Sequence, residues 1–242
     1  MLIYGINPVL EALRAKRVTR LRISARHDRR IDDLLALAAA QRVTTERVDA
    51  QMLDRAARGG VHQGVVAEIE DARDYNVGEL VQAGGASLIL VLDGIEDPHN
   101  VGAILRTADA AGVTGVIRQT RHSAALDGVV GKASAGALAH ARIATVVNIA
   151  RAIEELKAAQ VWTVGLAGEA AEAYTDVDWT LPTAIVLGAE GTGLRRLVRE
   201  RCDRLVTIPM RGSVESLNVS VAAGVVLYEA VRQRIVADHA GG

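Results

Sequence analysis

The chain of 242 residues contains no phenylalanine, two tryptophans, four tyrosines and one cysteine. So few aromatics exclude an RNA-recognition sheet that stacks bases on rings, and any grip on nucleic acid has to use charge and backbone. Cys202 cannot close an internal disulfide. The six histidines are scattered without metal-ligand spacing, so no metal site is expected. Long hydrophobic runs are also missing: no uncharged apolar stretch reaches the roughly 18 residues of a spanning helix. Met1 to Leu13 lacks the basic start and long apolar run of a secretory signal, so a cytoplasmic location is expected.

Half of the residues are hydrophobic and 24% are charged, the usage of an ordinary globular protein. The length fits one large domain, or one domain with a smaller companion. A net charge of −1 conceals an asymmetry, because residues 1–70 carry 12 basic side chains against 9 acidic ones. The densest run, Arg14 to Arg30, holds Arg14, Lys16, Arg17, Arg20, Arg22, Arg26, Arg29 and Arg30 against Asp28 alone. On charge alone such a run reads as a solvated face.

Residues 1–70 read as a small α/β unit with helices over Pro8–Ala15 and Arg30–Gln41 and strands over Arg20–Ser24, Val43–Val48 and Gly64–Ile69. Residues 71–87 have the glycine and polar content of a linker. From Leu88 onward, apolar runs of strand length alternate with helical periodicity, the pattern of a mostly parallel sheet with crossover helices. Strands are predicted over Leu88–Asp93, Thr114–Arg118, Ile143–Val147, Val161–Leu166, Thr183–Leu187 and Leu205–Ile208. Asn100 is placed to cap the first helix of this region. Leu217, Val221, Val225, Tyr228 and Val231 are read as the apolar stripe of the last helix, with Arg232 and Arg234 near its end.

Three segments carry chemistry. Asp93-Gly-Ile-Glu-Asp-Pro-His-Asn-Val-Gly-Ala-Ile-Leu-Arg106 runs from a strand end into a helix, where open α/β sheets bind ligands. His99 is read there as a loop residue. Ile185-Val-Leu-Gly-Ala-Glu-Gly-Thr-Gly193 has glycines that admit a ligand to the backbone. Its G-x-x-G-x-G spacing is not the dinucleotide fingerprint, and Ile208 stands where a ribose-binding acid would be needed, which disfavours a nicotinamide site. Ile208-Pro-Met-Arg-Gly-Ser-Val-Glu-Ser-Leu-Asn-Val-Ser220 places Ser216 and Asn218 at the start of an apolar helix, where each of them could simply be a cap.

In this order the three segments resemble the motifs of the SPOUT-class RNA 2'-O-ribose methyltransferases, most closely the branch that acts on guanosine in bacterial 23S rRNA. Gly60-Val-His-Gln-Gly64 is similar to that branch as well. Ala139 is a departure, because a glutamate is expected there. The resemblance covers essentially the whole chain and implies a C-terminal trefoil knot around an S-adenosylmethionine pocket, a homodimer whose site is completed across the interface, and an N-terminal domain like a ribosomal-protein fold. It divides the chain into an RNA-binding domain (1–70), a linker (71–87) and a catalytic domain (88–242), and turns the Arg14 to Arg30 run into an expected RNA contact. Arg232 and Arg234 become further candidates.

The resemblance also implies the site. Arg106 would be the central catalytic residue, with Asn100, Glu190, Ser216 and Asn218 orienting it and the ribose. The cofactor would lie against Ala167, Gly168, Leu187, Gly188, Gly191, Ile208, Met210 and Leu217. A guanidinium stays charged and is a poor general base, so Arg106 is assigned to the substrate phosphate and the developing alkoxide; a transiently neutral arginine acting as base is the alternative. A tRNA 2'-O-methyltransferase and a non-catalytic RNA-binding assembly factor remain open beside the rRNA enzyme.

Overall fold

The computed structural model describes residues 1–25, 29–70, 73–81 and 85–240, without the side chain of Ala240. Arg26, Asp28 and parts of the 71–87 stretch therefore lie outside the described residues. Two compact units emerge, one of residues 1–72, 101–106 and 124–141, the other of 73–100, 107–123 and 142–242.

The first unit is built on β1 (Leu2–Tyr4), α1 (Ile6–Arg14), β2 (Val18–Ile23), α2 (Arg29–Ala40), β3 (Thr44–Arg47), α3 (Ala50–Ala56) and β4 (Val65–Ile69). Its sheet has the order β1-β4-β2-β3, with β2 and β3 parallel and the other pairs antiparallel. Alternate residues face opposite sides of a strand. Leu21, Ile23, Val65 and Ala67 accordingly join the core that α1 and α2 close, whereas Val66 packs with Tyr4 and Leu53 under α3. The three-residue β1 is an addition to the sequence reading, defined by its pairing with β4.

The second unit begins inside the stretch read as linker. Asn76 and Glu79 form a capping box around α4 (Val77–Leu80), whose Val77 and Leu80 are buried. Then follow β5 (Leu88–Asp93), α5 (Pro98–Ala110, of which residues 101–106 belong to the first unit), β6 (Gly115–Gln119), α6 (Gly128–Ala133, which belongs to the first unit), β7 (Ile143–Val146), α7 (Ile149–Ala158), β8 (Trp162–Leu166), β9 (Glu172–Ala173), β10 (Thr183–Gly188), α8 (Arg196–Arg201), β11 (Arg204–Thr207) and α9 (Val219–Ala240). The seven strands run in the order β7-β6-β5-β10-β8-β11-β9, and every pairing is parallel. Every residue of β5 is buried, as expected for a strand covered on both faces. The mostly parallel α/β architecture expected from the sequence is thus present.

Three local readings are corrected. The cap of α5 is Asp97, which accepts from His99 N at 2.9 Å, with Pro98 opening the helix. Asn100 and His99 both lie inside the first turn, so His99 is helical and the Asn100 side chain is released from capping. In α9 the buried face is Val219, Ala223, Val226, Leu227 and Ala230, while Val221 and Tyr228 are about half exposed. Leu217 precedes that helix. Finally, α9 continues to Ala240, so Arg232 and Arg234 are not at its end.

Candidate active site

Adjacent strands β10, β8 and β11 end on the same side of a parallel sheet, where ligands of open α/β folds bind. The loops that follow them, with the entry to α9, enclose a cleft of about 740 Å³. Hydrogen bonds fix these loops to one another. Ala167 N donates to Val206 O at 2.9 Å, and Thr207 Oγ1 donates to Gly168 O at 3.1 Å. The loop after β10 folds back on itself through Ala189 N to Gly193 O (3.1 Å) and Gly193 N to Ala189 O (2.8 Å). Gly188 makes that return possible, since a Cβ there would stand 2.2 Å from Gly193 C. Gly191 and Gly193 turn the tip with φ of +77° and +66°, which glycine adopts without strain.

All eight residues expected around a cofactor line this one cleft: Ala167 and Gly168 after β8, Leu187, Gly188 and Gly191 at β10, Ile208 and Met210 after β11, and Leu217 before α9. Glu190, Ser216 and Asn218 line it too. Asn218 organises the polar part. Its Nδ2 donates to Glu190 Oε1 at 2.7 Å and to Asn100 Oδ1 at 2.9 Å, while its Oδ1 accepts from Ser220 N at 2.9 Å and Ser220 Oγ at 2.6 Å. The carbonyl thereby caps α9 and fixes which way the amide points. Asn100 is buried; Glu190, Ser216 and Asn218 are exposed.

Arg106 is exposed on α5, and its side chain makes no hydrogen bond or ion pair with any described residue. Asn100 and Arg106 are six residues apart, roughly 9 Å along a helix axis and on different faces.

The sequence reading missed a second cluster behind the loop. Asp93, fully buried at the end of β5, accepts from Arg195 N at 2.9 Å and Arg195 Nε at 2.7 Å and is ion-paired with the same guanidinium. Arg195 Nη2 also reaches Gln119 Oε1 at 2.5 Å. A carboxylate closing an otherwise apolar strand, Leu-Ile-Leu-Val-Leu-Asp93, was the available signal, because a buried charge needs a partner. Cys202 is no candidate nucleophile: burial pushes its thiol up to about 12, so it stays protonated at neutral pH.

The described part of the arginine run is largely occupied by the protein itself. Arg14 pairs with Glu11, Arg20 with Glu46, and Arg22 with Glu68 and Glu46. Arg17 donates to the carbonyls of Ala139 (2.9 Å) and Glu70 (3.0 Å), so Ala139 is engaged through its backbone. Lys16, Arg29 and Arg30 are exposed. Contrary to expectation, Arg234 serves the fold: burial lowers its pKa, and it donates to the carbonyls of Ala86, Ser87, Trp179 and Leu181. Arg232 is paired with Glu229.

Comparison with known proteins gives this geometry its context. Residues 2–75 match the model described as RNA 2'-O ribose methyltransferase substrate binding. A relative from Pseudomonas putida, named 23S rRNA (guanosine-2'-O-)-methyltransferase RlmB, is 48% identical over 97% of this chain and 97% of its own. The Yersinia pestis protein of the same name is 44% identical over 96% and 97%. Among solved structures, the SpoU methyltransferase AviRb from Streptomyces viridochromogenes in complex with AdoMet superposes with a TM-score of 0.84 at 29% identity, covering 98% of this chain and 91% of that one. The A. aeolicus TrmH/SpoU tRNA modifying enzyme matches over 67% of this chain and 82% of its own, with a TM-score of 0.58 and 32% identity. Residues 87–228 match the SpoU rRNA Methylase family model, and the chain belongs to that family.

Proposed function

We propose that the protein transfers the methyl group of S-adenosylmethionine to the ribose 2'-hydroxyl of a guanosine in 23S rRNA. The observation that carries this reading is a cleft lined by the second and third sequence segments, to which Asn218 ties the first by bonding both Glu190 and Asn100. The cleft fits the cofactor. Its volume is that of a small-molecule site, the glycines bring bare backbone to its wall, Leu187, Ile208 and Leu217 supply apolar surface for an adenine, and Glu190 offers negative charge to a sulfonium. When bound, the cofactor supplies an electrophilic methyl group. Ala167, Gly168, Leu187, Gly188, Gly191, Ile208, Met210 and Leu217 would hold it.

The remaining chemistry belongs to the side chains. An in-line transfer requires the acceptor oxygen to be aligned with the methyl, and alignment is what a fixed amide provides. Asn218, locked by its own cap, orients Glu190 and Asn100; with Ser216 these groups position the ribose. Arg106, whose side chain has no partner among the described residues, binds the adjacent phosphate and stabilises negative charge as it develops on the 2'-oxygen. Its permanent charge suits that role better than proton abstraction.

The reading includes a homodimer in the cytoplasm. Val221, Tyr228 and Ile235 recur every seven residues on α9 and are each about half exposed, with Leu217 just before them. A solvent-facing apolar stripe of this regularity is the surface of an interface. Among the described residues, no helix is long and apolar enough to cross a membrane. The reading further assigns a trefoil knot to the chain that returns through Ile208–Leu217, and RNA capture to a ribosomal-protein-like N-terminal domain of residues 1–70, joined through residues 71–87 to the catalytic domain of residues 88–242. With Arg14, Arg17, Arg20 and Arg22 engaged inside the fold, Lys16 and Arg29 are the described cations of that run assigned to RNA.

The deciding experiment offers labelled S-adenosylmethionine with 23S rRNA and bulk tRNA in parallel, followed by nuclease mapping. Label at one guanosine of the rRNA is the expected result. Label confined to tRNA overturns the substrate, and label in neither overturns catalysis on free RNA. Sedimentation of wild type and Tyr228→Asp tests the dimer, which the charged variant should dissociate.

A further inference from the structure

Asp93 faces Gly188 in the register of β5 against β10. The catalytic loop leaves from Gly188, turns through Glu190 and Gly191, is bridged at Ala189 and Gly193, and comes back to Asp93 through Arg195. One residue thus holds both ends of the loop. In the other direction the chain runs from Asp93 through only four residues, Gly94 to Asp97, into α5 and Asn100. Glu190 and Asn100 are the two acceptors of the Asn218 amide, and the segments that carry them both start at Asp93, one through its contacts with Arg195 and the other through the chain. Gln119, at the end of β6, fixes the outer side of the Arg195 guanidinium and itself donates to His122 O at 3.2 Å.

Stability is not the main return from this clasp. The carboxylate is wholly buried and costs desolvation, while the Arg195 side chain is about half exposed, so solvent weakens the attraction. What an apolar pair cannot reproduce is direction. The Arg195 backbone N–H and guanidinium grip the two carboxylate oxygens at fixed angles.

We propose that Asp93 and Arg195 are positioning residues for methyl transfer, setting where Glu190 stands relative to Asn100 and Asn218. The proposal rests on the methyltransferase reading and extends it to residues that do not touch substrate. Asp93→Asn keeps the size of the side chain and removes its charge. Arg195→Lys keeps the charge and loses the fork.

The test is the single-turnover rate at saturating S-adenosylmethionine and RNA, measured for both variants with and without Glu190→Gln. The expected result is a loss on the order of 10- to 100-fold for Asp93→Asn, the range that a small misplacement costs, and a smaller loss for Arg195→Lys, with KM for RNA unchanged. In the Glu190→Gln background Asp93→Asn should cost little more, because residues acting through one another are not additive. A general structural defect would instead lower the rate by the same factor in both backgrounds. That equality, or an unchanged rate in the single variants, overturns the proposal while leaving the activity in place. A wild-type chain that transfers no methyl group overturns the reading of function and the proposal with it. Should Asp93→Asn fail to fold, Arg195→Lys carries the same comparison.

Discussion

The four-stranded sheet and helix α5 use arginine in opposite ways. On β2, Arg20 and Arg22 interleave with Glu46 and Glu68 of the neighbouring strands, so these two cations of the most basic run are taken up by cross-strand pairs. On α5, Arg106 faces solvent with no partner among the described residues. Density of charge along the chain therefore says little about which guanidinium meets RNA. What distinguishes the two regions is whether the fold has already used the donors. Arg195 stands between them, spending its donors on Asp93 and Gln119 to hold the loop in which Glu190 sits.

The comparison breaks most easily at its free arginine. Arg106→Ala should reduce transfer by about three orders of magnitude, as expected when a charge that stabilises the reacting oxygen is removed. S-adenosylmethionine binding, followed calorimetrically, should be unchanged. Turnover close to wild type would return Arg106 to the surface. Next in size is Gly188→Ala. Its added methyl collides with the Gly193 and Leu194 backbone, so the loop has to open. Cofactor affinity should fall by about tenfold or more, corresponding to the 1–3 kcal/mol that overpacking costs.

A third substitution probes a charge that works purely within the fold. Burial opposes ionisation of Asp203, but bonds from Lys157, Thr163 N and Thr163 Oγ1 outweigh it and hold the carboxyl below its usual range. A lowered folded-state pKa stabilises the protein above the unfolded value of 3.8, and this contribution is lost as pH falls through the folded value. Asp203→Asn should thus cost on the order of 1–2 kcal/mol at pH 7 and progressively less as pH falls below 3.8, as read by urea unfolding at pH 7 and at a pH below 3.8. An equal cost at the two values would remove the charge from the explanation.

The smallest effect is expected where the sequence is most basic. Arg20→Ala removes an exposed ion pair worth about 0–1 kcal/mol and should leave KM for RNA within about twofold. A large rise in KM that weakens with salt would show that pairing inside the sheet does not keep these arginines from RNA.

Legibility in the sequence followed burial. Strand β5 was readable to the residue because a strand covered on both faces is apolar throughout. The three-residue β1 and two-residue β9 carry no such pattern and exist through their partners β4 and β11. Helix α9 was found, but its faces were exchanged: valine and alanine surround it, so periodicity alone could not tell the core side from the exposed one. At α5 the reading of Asn100 as the cap fails because Pro98 opens the helix, which makes Asp97, three residues earlier, the cap. The cleft segments were visible as motifs. The Asp93–Arg195 clasp was not, since its members lie 102 residues apart and only the register of β5 against β10 brings them together.

Asn218 carries one further consequence. A single side chain spends its oxygen on the first turn of a 22-residue helix and its nitrogen on the two acceptors at the cleft. Fraying of that first turn would release the amide to rotate, and rotation would present oxygen to Glu190, repelling what it now attracts. The first turn of α9 and the orientation of the Asn218 amide are therefore one equilibrium rather than two: whatever steadies the helix also fixes the amide that faces the cleft.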